Sequence, residues 1–275
     1  MKVFYFLCLL TFICGQTHSS IPFLTHSVSA ERSAQAGASG SFGTNFSFEF
    51  NPAFLNDARL MLNQQSWADG IRFYGAAGSF KLGMLSVGLF TKYHSVDGIE
   101  LRGETPSIEN KGEFSNYTAI TGISVSLQVM EKLTLGTTYK YSKDKLWVYE
   151  RNVSLYDLGF LYQFSNNFAV YGALNNIESV KESTEYATVG ARGVLSFISA
   201  GFEVQKFDKL YSYHLFLNKE INRFITLSGG YISGRKDRSW SVGLKLSLNA
   251  FNLVFSYLPH TYLADYKSIQ FGVEL

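Results

Sequence analysis

The C-terminal stretch Lys267-Ser268-Ile269-Gln270-Phe271-Gly272-Val273-Glu274-Leu275 decides the fold class. Apolar residues alternate with polar or small ones, which places four apolar side chains on one face of a β-strand: Ile269, Phe271, Val273 and Leu275. Chain ends usually fray into water, so a strong strand at the end of a chain is unusual for a soluble protein. In a bilayer, the last strand of a barrel must pair with the first, because an open edge would leave backbone groups without hydrogen-bond partners. The stretch therefore predicts a transmembrane antiparallel β-barrel.

The same alternation divides the preceding chain into strands. We predict fourteen segments, at roughly 59–67, 70–80, 82–96, 114–127, 131–143, 146–163, 166–176, 184–195, 197–207, 209–219, 223–233, 236–247, 249–259 and 264–275. Connections after odd-numbered segments are the longer ones, whereas those after even-numbered segments are tight. Short periplasmic turns and longer external loops are typical of outer-membrane barrels. The barrel is predicted to span residues 59–275.

Composition agrees with a barrel and argues against transmembrane helices. Charged residues make up 17% of the chain and aromatic residues 16%, against the ~25% charged residues of average soluble domains. No apolar run beyond the N-terminal segment approaches the ~18 residues of a spanning helix. The net charge of +2 indicates no nucleic-acid partner. Lys140 and Lys245 occupy strand interiors, and we expect both to face the lumen because a lysine facing lipid at mid-depth is costly.

The N-terminus resembles a secretory signal peptide. A basic Lys2 precedes an apolar core from Val3 to Ile13, and we predict a signal peptide over residues 1–15 with cleavage after Gly15. A lipoprotein anchored through Cys14 is an alternative. Both cysteines lie within this segment, so the mature chain would have no disulfide and no thiolate site. The predicted location is the bacterial outer membrane.

Residues 16–58 differ from the barrel in composition and are predicted to form a plug or lining inside the lumen. Gly37 lies in a small, polar stretch, and Asn51-Pro52 is a turn signal. Arg32 and Arg72 are predicted to lie in the lumen and to pair there with one of three carboxylates: Glu49, Asp57 or Asp69. We expect the intact protein to conduct almost no ions, and a deletion of about residues 33–51 to open a conductance.

Several motifs resemble the PorV/PorQ family of outer-membrane barrels. The runs Ala30-Glu31-Arg32-Ser33-Ala34-Gln35-Ala36-Gly37-Ala38 and Asn51-Pro52-Ala53-Phe54-Leu55 are similar to the N-terminal signature of that family. Gln65–Phe73 resembles its first strand turn. Further similar motifs follow in the order of the family: 133–136, 157–159, 174–177 and 257–275. The resemblance implies a fourteen-strand barrel related to fatty-acid transporters and a link to type IX protein secretion.

The predicted function is a secretion-linked barrel that holds or passes cargo. A transporter of hydrophobic or small solutes and a structural outer-membrane protein are the alternatives. The expected partners are outer-membrane lipid and lipopolysaccharide, the barrel-assembly machinery through the last strand, and secretion components or cargo. Ser212 and His214 share one strand face, but a hydrolase would also need an orienting third group. We predict no enzyme activity, cofactor or metal. Trp67, Trp147 and Trp240 are interpreted as part of an aromatic girdle at the membrane interface.

Overall fold

The computed structural model describes residues 26–27, 29–40, 47–55, 58–67, 71–100, 112–146, 149–178, 185–207, 210–234, 239–261 and 264–275. The predicted signal peptide at residues 1–15 lies outside them, as do Asp57, Asp69 and Trp147.

Fourteen β-strands form the wall over these residues, which confirms the predicted fold class. They are β1 Arg59–Trp67, β2 Ile71–Leu82, β3 Leu85–Glu100, β4 Glu113–Met130, β5 Leu133–Leu146, β6 Tyr149–Ser165, β7 Phe168–Glu178, β8 Tyr186–Leu195, β9 Ile198–Phe207, β10 Leu210–Asn222, β11 Ile225–Ser233, β12 Trp240–Leu248, β13 Phe251–Leu258 and β14 Tyr266–Glu274. Each strand pairs antiparallel with its neighbours in sequence. Alternation of lipid-facing and lumen-facing positions explains why the pattern located them.

The last strand closes the barrel, as the C-terminal sequence predicted. β14 pairs with β1 in a continuous register from Arg59 opposite Glu274 to Ser66 opposite Lys267. Ile269 is exposed on the outer face and Gln270 is buried on the inner one. No strand edge is left open at the seam, so the backbone groups of β1 and β14 satisfy each other.

The two ends of the barrel differ in their connections. Every connection after an even-numbered strand is two residues long, such as Gly83–Met84 between β2 and β3. Connections after odd-numbered strands reach residues 101–112 between β3 and β4, and 259–265 between β13 and β14. We call these the short-turn end and the long-loop end. By the usual pattern of such barrels, the long-loop end faces outward.

The outer surface of the wall is largely apolar. Exposed side chains around the strands include Leu62, Leu89, Leu158, Leu215 and Phe255. In water this surface would be unfavourable, because ~25 cal/mol per Å² of apolar area favours removal from water. Hydrocarbon around the wall satisfies it, as expected for a membrane-spanning barrel.

The described residues between His26 and Leu55 lie inside the barrel, and we call them the inner segment. They include a short helix, α1 (Ala30–Ala34), and two 3₁₀ helices at Ser47–Glu49 and Pro52–Phe54. Ser29 caps α1 by accepting a hydrogen bond from the Arg32 backbone N–H. Gly37, at φ 81°, follows it in a left-handed conformation that glycine adopts at no steric cost. Among the described residues, no helix is long and apolar enough to cross a membrane.

The wall is shaped to receive the inner segment. A Cβ atom at Gly243 would lie 2.3 Å from the Ala34 Cβ, and one at Gly136 would lie 2.5 Å from the carbonyl carbon of Pro52. Two more glycines face the inner segment equally closely: Gly159 and Gly230. These glycines let the inner segment lie against the wall on two sides, α1 on β11–β14 and the second 3₁₀ helix on β4–β6.

Candidate functional site

A cavity of about 460 Å³ opens between the inner segment and the long-loop end of the wall. We call it the loop-side cavity. Its side walls are mostly apolar or aromatic and include Trp67, Phe73, Tyr186, Phe207, Ile232, Leu258 and Tyr266. Its floor is one face of α1 and the residues after it, with Arg32, Ser33, Ala36 and Gly37. The site is therefore an apolar chamber whose base is built by the inner segment.

A second cavity lies on the opposite face of α1. This turn-side cavity has a volume of about 250 Å³ and is lined by Glu31 and Gln35 of the inner segment and by Lys245 of β12. Lys245 Nζ lies 3.0 Å from Glu31 Oε1. Glu31 and Gln35 are four residues apart and share one helix face. The helix thus separates one cavity from the other, and the Lys245–Glu31 ion pair lies at the turn-side cavity.

Stacked rings build the wall of the loop-side cavity where β14 meets β1. The rings of Trp67 and Tyr266 are stacked at 4.7 Å with an interplanar angle of 9°. His26 of the inner segment lies 4.5 Å from the Phe73 ring and 5.2 Å from the Tyr266 ring. Its Nε2 is 3.1 Å from Gln65 Oε1. Trp67 therefore lines the lumen, and its interpretation as a girdle residue is wrong because its strand position faces inward.

Arg32 supplies the polar end of the loop-side cavity. Its side chain is only 5% exposed, and its Nε donates to the Gly37 carbonyl oxygen at 2.7 Å. The guanidinium carbon lies 3.3 Å from the centre of the Phe50 ring. Among the described residues, Arg32 Nη1 has no hydrogen-bond partner. A buried donor without a partner is unfavourable, and the Arg32 side chain lines the cavity.

Charges around Phe50 leave an excess of positive charge. Lys92 and Lys140 lie 5.4 and 6.0 Å from the Phe50 ring centre, beside Arg32. Lys92 pairs with Glu49, and Lys140 Nζ lies 2.5 Å from Asp157 Oδ2. Both pairs are buried. Each lysine thus has a carboxylate, whereas no described carboxylate forms an ion pair with the third cation, Arg32.

Asn51 and Pro52 attach the second half of the inner segment to the wall. The Asn51 side chain accepts a hydrogen bond from the Ala53 N–H at 3.1 Å and so caps the 3₁₀ helix that begins at Pro52. Its Nδ2 also donates to the carbonyl oxygens of Phe160 and Gly172, at 3.3 and 3.2 Å. Asn51 is therefore a structural link between the inner segment, β6 and β7.

Glu203 makes a further attachment that the sequence did not reveal. Its carboxylate oxygen Oε2 accepts from the Ser39 N–H at 2.8 Å and from the Ser39 hydroxyl at 2.6 Å. The Tyr171 hydroxyl donates to the same oxygen at 2.9 Å, and Gln205 Nε2 donates to the other at 2.7 Å. Glu203 is fully buried. The only sequence signal was a carboxylate at a lumen-facing position of β9.

Of the three residues predicted to face the lumen, two do so and one does not. Lys140 and Lys245 point inward and form ion pairs. Arg72 points outward, because Phe73 is the buried residue of that part of β2. The prediction that Arg72 lies in the lumen is therefore wrong. Arg72 lies near the long-loop end, where a charged side chain on the outer surface can reach the membrane interface. The predicted pairing of Arg32 with Glu49 is also wrong, since Glu49 pairs with Lys92 on β3.

The side chains of Ser212 and His214 are hydrogen-bonded to each other, and His214 also binds the inner segment. His214 Nδ1 lies 2.8 Å from the Ala36 carbonyl oxygen, which can only accept, so Nδ1 carries the proton. Nε2 then accepts from the Ser212 hydroxyl at 2.9 Å. The described residues contain no group of three or more His, Cys, Asp or Glu side chains that could hold a metal ion.

Known structures share the fold. The chain is similar to the monoaromatic hydrocarbon channel CymD, with a TM-score of 0.65 and 10% identity over 93% of this chain and 99% of that one. It is also similar to the toluene transporter TbuX of Ralstonia pickettii (TM-score 0.64, 11% identity, 90% and 98% covered). For the toluene transporter TodX of Pseudomonas putida, the TM-score is 0.63 and the identity 13%, over 94% of this chain and 98% of that one. At these identities the likeness shows the fold alone.

No family model matches the sequence, and no curated protein matches it. Membership of the PorV/PorQ family therefore stays a prediction.

Proposed function

We propose that this chain is an outer-membrane channel for small hydrophobic solutes, closed at rest by its inner segment. The observation that carries the proposal is the loop-side cavity, a largely apolar chamber whose base includes Arg32, and Arg32 Nη1 has no hydrogen-bond partner among the described residues. Its volume of about 460 Å³ falls within the ~300–1,000 Å³ of small-molecule sites. A chamber of this composition would take an apolar solute from the long-loop end.

Arg32 refines the class of solute. Its guanidinium would bind a carboxylate or another strong acceptor, while the rings of Phe73 and Tyr266 would contact an apolar body. An aromatic carboxylate combines both features. The positive excess around Phe50 would attract such an anion, because no described carboxylate already pairs with Arg32.

The similar structures support transport over secretion. Their names describe a monoaromatic hydrocarbon channel and toluene transporters, and the cavity here has the largely apolar lining that such solutes need. The type IX secretion role implied by the PorV/PorQ resemblance stays a prediction. Co-purification of the intact protein with a secretion translocon would favour that role instead.

The proposal is tested by binding, read at Trp67. Replacing Trp147 and Trp240 with phenylalanine leaves Trp67 as the only tryptophan, and this residue lines the cavity. We expect benzoate and toluene to change its fluorescence saturably, and sucrose to have no effect. In this background Arg32→Met should lower the affinity for benzoate about tenfold, because one charge-assisted hydrogen bond is lost. The affinity for toluene should be nearly unchanged.

The matched control is Arg192→Met. Arg192 is also buried and contacts the inner segment, through the Gly40 carbonyl oxygen at 3.3 Å, but it does not line the loop-side cavity. It should leave both affinities unchanged. The absence of any saturable response to benzoate and toluene in the folded protein would overturn the proposed function.

A further inference from the structure

Three neighbouring strands carry a row of polar side chains on the outer surface near the long-loop end. Ser66 of β1 lies opposite Arg72 of β2 and opposite Lys267 of β14, and all three are exposed. Adjacent strands lie ~4.8 Å apart, so the two basic residues flank Ser66 across roughly 10 Å of wall. We call these three residues the basic row.

The two basic side chains of the row have no direct bonding partner among the described residues. Neither Arg72 nor Lys267 forms an ion pair or a side-chain hydrogen bond with any part of the chain that the structure describes. The acidic neighbour of Lys267 is Asp265, whose two oxygens already accept from the Tyr257 hydroxyl and the His260 N–H. These two hydrogen bonds, with a smaller contribution from the nearby charge of Lys267, hold the pKa of Asp265 below its usual value. The row therefore presents two cations to the membrane interface.

The next row toward the membrane centre contains a polar residue on the lipid-facing surface. Two residues from Ser66 along β1, Gln64 lies opposite Tyr74 of β2 and Ile269 of β14. Gln64 is exposed, and its amide has no side-chain hydrogen bond among the described residues. An amide facing hydrocarbon without a partner is unfavourable. A carbonyl or hydroxyl group held at this depth would satisfy it.

Gln64 lines one end of a largely apolar groove that continues toward the membrane centre. In the third row, Ala76 lies between Leu62 of β1 and Thr91 of β3, and its small side chain leaves a depression. The groove has a volume of about 500 Å³ and continues across the seam to Ile269 and Phe271 of β14. Rows two residues apart are separated by roughly 6.6–6.8 Å along the strands.

From the long-loop end inward, the surface thus offers cations, then an amide, then an apolar groove. A phosphorylated lipid has the matching order: phosphate, then ester or amide carbonyls, then acyl chains. The long-loop end faces outward by the pattern of its connections, and the phosphorylated lipid of the outer leaflet there is lipopolysaccharide. We infer that the seam between β14, β1 and β2 is a specific binding site for the lipid A part of lipopolysaccharide, with phosphate held by Arg72 and Lys267.

This inference is independent of the solute that the lumen carries. It concerns the outer surface, and the role that it gives Arg72 agrees with the outward orientation of that residue. A protein partner would not be expected to present a phosphate, a carbonyl and a long alkyl chain at these three depths.

The test is lipid binding by the intact, detergent-purified barrel, measured by native mass spectrometry with added lipid A, phosphatidylglycerol or phosphatidylcholine. The wild type should retain lipid A in preference to both phospholipids. The double variant Arg72→Gln/Lys267→Gln should weaken lipid A at least about tenfold, since it removes charge-assisted hydrogen bonds to phosphate. Gln64→Leu should weaken it by a smaller factor. Heat-modifiable migration on gels verifies that each variant is folded.

The matched control is Lys206→Gln. Lys206 is an outward-facing lysine near the long-loop end of β9, away from the groove, and it should leave lipid A binding unchanged. An equal loss in this variant would show that any interfacial lysine behaves alike and would overturn the inference. So would phosphatidylglycerol binding as tightly as lipid A, unchanged binding in the double variant, or a role of this surface in dimer formation without lipid.

Discussion

Replacing Glu203 with glutamine should loosen the inner segment without removing any of it. In the wild type, Glu203 accepts two hydrogen bonds from Ser39 and one from Tyr171 on a single carboxylate oxygen. In the variant, either the amide nitrogen faces these donors, or it turns toward the Gln205 side-chain donor. In both orientations the amide nitrogen, which is a donor, faces at least one other donor, and the negative charge of Glu203 is lost.

The magnitude follows from these bonds. A hydrogen bond to a charged group contributes about 1.5–3 kcal/mol, so the two from Ser39 stabilise the closed position by roughly 3–6 kcal/mol. A neutral amide retains part of this. A loss of about 1.5–3 kcal/mol would raise the fraction of released inner segment roughly 10- to 150-fold.

Single-channel recording in planar bilayers measures the change. We expect the wild type to be nearly silent, Glu203→Gln to show brief openings, and a deletion of residues 33–51 to conduct steadily. Ser247→Ala is the control, because among the described residues the Ser247 hydroxyl donates to Asn252 of the wall and to no residue of the inner segment. If the deletion conducts and a folded Glu203→Gln stays silent, Glu203 does not hold the segment. A folded deletion without conductance would show that the segment does not close the lumen.

Two further variants test the packing and the charges of the lumen. Gly243→Ala should displace α1 and increase conductance, because its Cβ would lie 2.3 Å from the Ala34 Cβ; Gly229→Ala, with nothing nearer than 3.8 Å, should leave recordings unchanged. Lys140→Met should lower the free energy of unfolding by about 3–5 kcal/mol, since it leaves Asp157 buried without its cation. In urea titrations, Lys140→Met/Asp157→Leu should recover most of this loss; a single variant as stable as the wild type would contradict the buried ion pair.

The wall was predictable from sequence because each strand residue meets one of two environments. Lys140 and Lys245 identified the lumen face of their strands, since a lysine facing lipid at mid-depth is unfavourable. The same rule failed at Arg72. In β2 both faces are apolar near this position, because Phe73 packs inward into a cluster with Phe48 of the inner segment. Hydrophobicity therefore could not distinguish the two faces of β2, and the charge of Arg72 near the strand end led to the wrong prediction of a lumen position.

The attachments of the inner segment were not predictable, because they join residues distant in sequence. Ser39 and Glu203 are 164 positions apart, and Ser29 and Gln270 are 241 apart. Each residue is unremarkable in its own neighbourhood, and only the closed wall brings the pairs together. Asn51-Pro52 was recognisable as a turn because the local capping geometry uses neighbours in the chain.

The two halves of the inner segment are attached to different parts of the wall, and this decides how the lumen can open. The second half is held at β6 and β7 through Asn51 and at β3 through Glu49. The α1 half is held at β12 and β14 by Ser241 and Gln270. Because the loop-side and turn-side cavities lie on opposite faces of α1, displacing that half alone would join them. Arg32 would move with α1, whereas the buried pairs Lys92–Glu49 and Lys140–Asp157 can stay in place, so opening the lumen in this way would leave neither lysine unpaired.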